Sequence, residues 1–243
     1  MNGLVLSLFP GIGMLDMAFE EAGFCVVRGP DLLWGGDIRL FHPPAGRFDG
    51  VIGGPPCQAF SALKPLADRS RGYPAPNLIP EFERCVLEAQ PAWFLMENVP
   101  AAPLPQIAGY GMCDRILEDV WVGGMTSRRR RFSFGLGGRA DMDVRALFHI
   151  EALALHSYDA EPAVIASCGG PSPSRKAGGA IRKNRGAKQF PGAVRAQGLP
   201  DGFLDNAPFT AAGKIKAVGN GVPLAMGRAV TQAVVRATAG RAR

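Results

Sequence analysis

The stretch from Gly3 to Gly23 limits the choice of fold more than any other. Gly3 to Phe9, GLVLSLF, is an apolar run of strand length and reads as a buried strand. A turn follows in Pro10-Gly11-Ile12-Gly13. Met14 to Ala22 then carries helical spacing, with Met14, Met17, Ala18 and Phe19 on or near one face and Gly23 in the C-cap place. Strand, glycine turn and helix together are the opening unit of an α/β fold. In such units the turn lets a backbone approach a ligand and the helix N-terminus offers free amides. The full GxGxxG fingerprint fails, because Asp16 occupies the third glycine position. On these residues alone a plain tight turn explains the pattern as well as a cofactor site does.

A second strand is expected over Phe24 to Val27, leading to Asp31. An acid that closes the second strand of such a fold commonly accepts hydrogen bonds from ribose hydroxyls. Phe48 to Ile52 reads as a third strand, delivered into Gly53 to Ser61, GGPPCQAFS. Two glycines and two prolines there set Cys57 on a stiff turn at the carboxyl edge of the sheet, where open α/β sheets bind ligands. The other reading is an ordinary turn with a buried, inert cysteine. Lys64 to Pro76 is a loop rich in Lys, Arg and Pro. Asn77 to Gln90 is expected to be a helix, with Phe82, Cys85, Val86 and Ala89 at helical spacing. Ala92 to Met96 reads as a buried strand ending in Glu97-Asn98-Val99. A carboxylate after such an apolar run is unusual, and burial there would raise its pKa and let it carry a proton near neutrality. A paired ion is the alternative.

Composition narrows the class. The formal net charge of +6, with an isoelectric point near 9.3, suits a polyanionic partner. Five scattered cysteines without CxxC spacing argue against a disulfide framework and against a metal site, and they fit a reducing cytoplasm. No basic residue precedes Arg28, so a signal peptide's charged start is lacking, and no apolar run is long enough to span a bilayer.

Pro55-Pro56-Cys57-Gln58 followed by Phe60-Ser61 resembles the nucleophile motif of the cytosine-5 DNA methyltransferases, with Ala59 where that family has Gly or Pro. LFPGIG resembles its S-adenosylmethionine motif, and FLMENVP its Glu-Asn-Val motif. The resemblance implies a Rossmann-like α/β methyltransferase fold with a small target-recognition region. It implies cofactor contacts from Phe9, Gly11, Ile12 and Gly13, from Asp31, from Asp37 and Ile38, from Pro55, and from Asn220 and Gly221 in a last motif before a helix from Leu224. Asp31 and Asp37 stand only a few residues apart, so one helix of that family's cofactor domain is expected to be lost or rebuilt. Thr126 to Phe132 resembles the family's Gln-x-Arg-x-Arg motif, which would make Arg128 and Arg130 catalytic beside Cys57 and Glu97. Read without the resemblance, four arginines in a row are a solvated or phosphate-facing run. Thr126 replaces the family's Gln, which leaves one contact to the DNA or the loop unaccounted for.

The expected division is 1–136 for catalysis and cofactor binding, 137–188 for a short basic recognition region and 189–243 for C-terminal motifs. A disordered linker is the other reading of 137–188. DNA contacts are expected from Gln58, Ser61, Arg175, Lys176, Arg182, Lys183, Arg185 and Lys188. The expected partners are double-stranded DNA and a cognate restriction endonuclease, with no membrane, for a monomer. Two rivals use the same residues: a tRNA cytosine-5 methyltransferase of the same fold, and an inactive DNA-binding relative. A nicotinamide dehydrogenase would leave Cys57 and Glu97 without a purpose.

Overall fold

A computed structural model describes residues 2–60, 74–140, 142–153, 160–161, 163–164, 174–175, 181–182 and 190–239. The strands are β1 (Leu4–Leu8), β2 (Cys25–Arg28), β3 (Gly50–Gly53), β4 (Trp93–Asn98), β5 (Tyr110–Glu118), β6 (Arg129–Gly137), β7 (Ser174–Arg175) and β8 (Ile181–Arg182). The helices are α1 (Met14–Glu21), α2 (Ile79–Ala89), α3 (Phe190–Ala196), α4 (Ala211–Asn220) and α5 (Leu224–Thr238). The first six strands form one sheet in the order β2-β1-β3-β4-β6-β5, and β7 pairs only with β8 among the described residues. β2, β1, β3 and β4 are parallel, and β6 runs antiparallel to both β4 and β5.

Successive side chains on a strand point to opposite faces, so an unbroken apolar strand must be covered on both. Val5, Ile52, Trp93 and Leu95 meet Phe19 of α1 and Met226 and Val230 of α5 on one side. Leu6, Leu8, Val51, Phe94 and Met96 meet Phe82 and Val86 of α2 on the other. Phe19, Phe82 and Phe94 are all fully buried. Each such side chain contributes about 1.5–3 kcal/mol of burial free energy. α5 closes the first layer by lying against α1, where a Cβ on Gly227 would stand 3.0 Å from the Ala18 Cβ. After β6 the chain returns to this core, with Phe148 stacked on Phe134 at 4.6 Å between centroids.

The expected elements are present with shifted ends. β3 begins at Gly50 rather than Phe48. Asp49 intervenes, its carboxylate accepting from the Leu4 N–H at 2.7 Å, so Phe48 joins the core without joining the sheet. β4 runs on through Glu97 and Asn98 instead of stopping at Met96. Between β2 and β3 no α-helix forms. Two single 3₁₀ turns, Leu32–Trp34 and Ile38–Leu40, stand there, and Asp31 and Asp37 cap them.

Candidate active site

Three parallel strands and one antiparallel strand deliver their ends to a single sheet edge. β1 ends at the glycine turn, β3 at the Pro-Pro-Cys loop and β4 at Glu97 and Asn98, while β6 begins there with its arginines. The glycine turn is tightly wound. Phe9, Gly11 and Gly13 have φ of 55°, 56° and 78°. The left-handed backbone costs a non-glycine residue such as Phe9 about 1–2 kcal/mol. Gly13 caps α1 without any side-chain bond to the first-turn amides. The glycine fingerprint's missing third position also has an explanation. Asp16 is buried, accepting from Ser7 Oγ at 2.6 Å and from Arg28 Nε at 2.8 Å, so it ties α1 to β1 and β2. Burial pushes its carboxyl up, against those two donors.

Cys57 opens a single 3₁₀ turn, Cys57–Ala59, and is half-buried, whereas Gln58 beside it is exposed. Asn98 Nδ2 donates to the Pro55 carbonyl at 3.1 Å and pins this loop to the end of β4. Gly54 allows the loop to approach Glu97, since a Cβ there would lie 2.9 Å from Glu97 Oε2. Burial pushes the Cys57 thiol above its ordinary value, and the Glu97 charge adds to this, while Arg130 and Arg128 pull it down.

Glu97 is not the solitary carboxylate that its apolar run suggests. Arg130 Nε pairs with Glu97 Oε1 at 2.6 Å, with both side chains largely buried. The register explains the pair: Glu97 lies opposite Phe132, and Arg130, two residues along β6, shares its face. The four-arginine run is therefore sorted by the pleat rather than uniformly solvated. Arg131 turns the other way and donates to the Ala102 carbonyl at 2.7 Å. Arg129 stays exposed, 6.0 Å over the Trp121 ring. Arg128 is buried, and its Nη1 and Nη2 donate to the carbonyls of Val164 at 2.6 Å and Gly221 at 3.0 Å. Burial, followed by the Arg130 charge, brings its pKa down to about 9, so it remains a cation at neutral pH. Thr126 spends its hydroxyl inside the protein: its N–H and Oγ1 both donate to Asp119 Oδ2, at 3.0 and 2.8 Å.

Around the glycine turn, Asp31 Oδ2 accepts from the Gly11 N–H at 2.8 Å and Asp31 Oδ1 from the Leu33 N–H at 2.7 Å. Asp37 pairs with Arg39 at 2.6 Å, which holds its carboxyl below the usual range, and the neighbouring Ile38 is buried in the core. Gly221 reaches the same edge through Arg128, and Asn220, the last residue of α4, is exposed. Arg175 and Arg182 lie on β7 and β8, whereas Ser61, Lys176, Lys183, Arg185 and Lys188 lie outside the described residues. Among the described residues, no helix is long and apolar enough to cross a membrane. The sequence alone assigns no role to Asn98 or Trp34, although Asn98 directly follows Glu97 and Trp34 is an aromatic ring between two closely spaced acids.

Residues 35–105 match the sequence model of the family described as C-5 cytosine-specific DNA methylase. The Type II methyltransferase M.HgiGI of Herpetosiphon aurantiacus is 34% identical over 123 residues, covering 42% of this chain and 94% of that protein. The chain belongs to the C-5 cytosine-specific DNA methylase family. The Type II methyltransferase M.HgiDI of the same organism is 31% identical over 161 residues, covering 54% of this chain and 51% of that one. Apart from M.HgiGI, the chain spans about half the length of the first curated methylase relatives that it matches. A mutant of Spodoptera frugiperda DNMT2 superposes with a TM-score of 0.62 at 12% identity, covering 95% of this chain and 99% of that one. The sheet with helices on both faces is thus the Rossmann-like methyltransferase fold, as expected for a methylase of this family.

Proposed function

We propose that the chain is an S-adenosylmethionine-dependent DNA cytosine-5 methyltransferase acting through Cys57. The observation that carries this reading is the meeting of Cys57, the Glu97–Arg130 pair and the glycine turn at one sheet edge. The turn has room for a ligand: a Cβ on Gly11 would meet nothing within 4 Å. The uncapped amides of α1 and the Asp31 carboxylate lie beside it. Phe9, Gly11, Ile12, Gly13, Asp31, Asp37, Ile38, Pro55, Asn220 and Gly221 are proposed to hold S-adenosylmethionine, which supplies the methyl group when bound.

Carbon 5 of cytosine is a weak nucleophile. The Cys57 thiolate adds to carbon 6, forming an Sγ–C6 bond and moving the ring's π electrons towards carbon 5, nitrogen 3 and the carbonyl. Glu97 shares a proton with nitrogen 3, and Arg130 holds the carbonyl side, so charge develops against fixed partners. Arg128, spent on two backbone carbonyls, supports the pocket from behind. Once carbon 5 carries the methyl group, a base removes the carbon 5 proton, the C5–H electrons re-form the C5=C6 bond, and the Sγ–C6 bond breaks to return the thiolate. A cytosine in a duplex must be flipped out for this, at about a few kcal/mol. Segment 137–188, with Gln58 and Ser61, is proposed to supply DNA contacts, between a catalytic region over residues 1–136 and a C-terminal region over residues 189–243. The proposed setting is a monomer in the cytoplasm, with a restriction endonuclease as partner.

The test uses tritiated S-adenosylmethionine and duplex DNA containing 5-fluorocytosine, followed by a denaturing gel. Fluorine cannot leave as a cation, so a Cys57-dependent covalent adduct is expected, and Cys57→Ser should form none. Label appearing in tRNA but not in DNA would replace the substrate. Full methyl transfer by Cys57→Ser would remove the mechanism.

A further inference from the structure

One short turn holds Gly11 at both its backbone polar groups. The Gly11 N–H donates to Asp31 Oδ2 at 2.8 Å, and the Gly11 carbonyl accepts from Trp34 Nε1 at 2.7 Å. Asp31 caps the turn that ends in Trp34 and so fixes the spacing of the two holds. Trp34 itself is 58% exposed, so it holds the Gly11 carbonyl from the surface side of the turn. Its ring lies 5.6 Å from that of Phe209, tilted by 45°. Phe209 directly precedes Thr210, the N-cap of α4. α4 ends at Asn220, just before the Gly221 carbonyl that Arg128 holds.

We propose that Trp34 is a positioning residue for the cofactor. Its indole N–H fixes the Gly11 carbonyl, and Phe209 fixes the indole, so the segment before α4 sets the shape of the glycine turn. Between Asp31 and Asp37 the chain forms a single 3₁₀ turn instead of an α-helix, and this side chain braces the glycine turn from it. The inference rests on the reading of that turn as the S-adenosylmethionine site.

The experiment is calorimetric titration with S-adenosylhomocysteine on the whole chain, on Trp34→Phe and on Phe209→Leu. Trp34→Phe keeps a ring and loses the donor. It should weaken binding about 5- to 10-fold, as expected for one lost hydrogen bond that also preorganises a site. Phe209→Leu should weaken it by less, and the double variant no more than Trp34→Phe alone. In turnover the loss should fall on KM for the cofactor rather than on kcat. A lower melting temperature with unchanged affinity would make Trp34 merely structural and overturn the proposal. If Trp34→Phe does not fold, unchanged affinity in Phe209→Leu overturns it equally. If the unaltered protein binds no S-adenosylhomocysteine, the cofactor reading fails on its own account. The brace is then judged by amide hydrogen exchange over residues 9–13. Faster exchange in Trp34→Phe supports it, and unchanged exchange refutes it.

Discussion

At Cys57, opposing influences meet on one sulfur. Burial and the Glu97 carboxylate hold the proton on, while Arg130 and Arg128 favour its loss. Removing a negative neighbour stabilises a thiolate and lowers its pKa; removing a positive one raises it. Alkylation of Cys57 by iodoacetamide, followed by peptide mass spectrometry, should therefore rise with pH with a midpoint above that of an ordinary cysteine. Glu97→Gln should shift that midpoint down and Arg130→Gln should shift it up. A midpoint that ignores Glu97→Gln would show that the two side chains do not share a field. Within the proposed chemistry, a base must take the Cys57 proton before the sulfur adds to carbon 6. Asp16 offers a contrast: it is also buried with its carboxyl pushed up, but its partners Ser7 and Arg28 tie strands and helix together.

Among the elements, the packing of α5 on α1 can be tested by a single change. Gly227 has no room for a branched side chain beside Ala18. Gly227→Val should cost about 1–3 kcal/mol through overpacking, read as a lower midpoint in urea unfolding with an unchanged slope. An unchanged midpoint would mean that the helix slides without penalty. This scale also separates what the sequence discloses from what it withholds. β1 and β4 are legible because an unbroken apolar run must be covered on both faces. The ends of β3 and β4 are not, because they depend on Asp49 bonding to Leu4 and on β6 pairing beyond Met96. Cys57 and Glu97 stand out through their turn and their apolar run. The Glu97–Arg130 pair does not, since it needs the register of two strands some thirty residues apart in the chain. In the same way, four consecutive arginines look alike until the pleat of β6 sends Arg130 to one face and Arg129 and Arg131 to the other, with Arg128 buried just before the strand.

For the molecule as a whole, the charge of +6 sets the long-range behaviour towards a polyanion. Each phosphate neutralised by Lys or Arg contributes a slope of about −0.9 to log K against log salt on duplex DNA. Binding to non-cognate duplex, measured by fluorescence anisotropy from about 50 to 200 mM salt, should fall steeply. Charge reversal at Arg175 and Arg182 should flatten the slope. A salt-independent affinity would count against the proposed role of the basic segment.

The pairing of α1 with α5 also has a consequence in time. Phe19 and Leu15 belong to a cluster completed by Met226, Val230 and Val234. Arg228 and Glu21 join the two helices at 2.6 Å across 207 positions of the chain. A ribosome releases α1 long before it has made α5. Until α5 has been made the first helix therefore carries an uncovered greasy flank, and the nascent chain depends on a partner 207 positions further on to hide it.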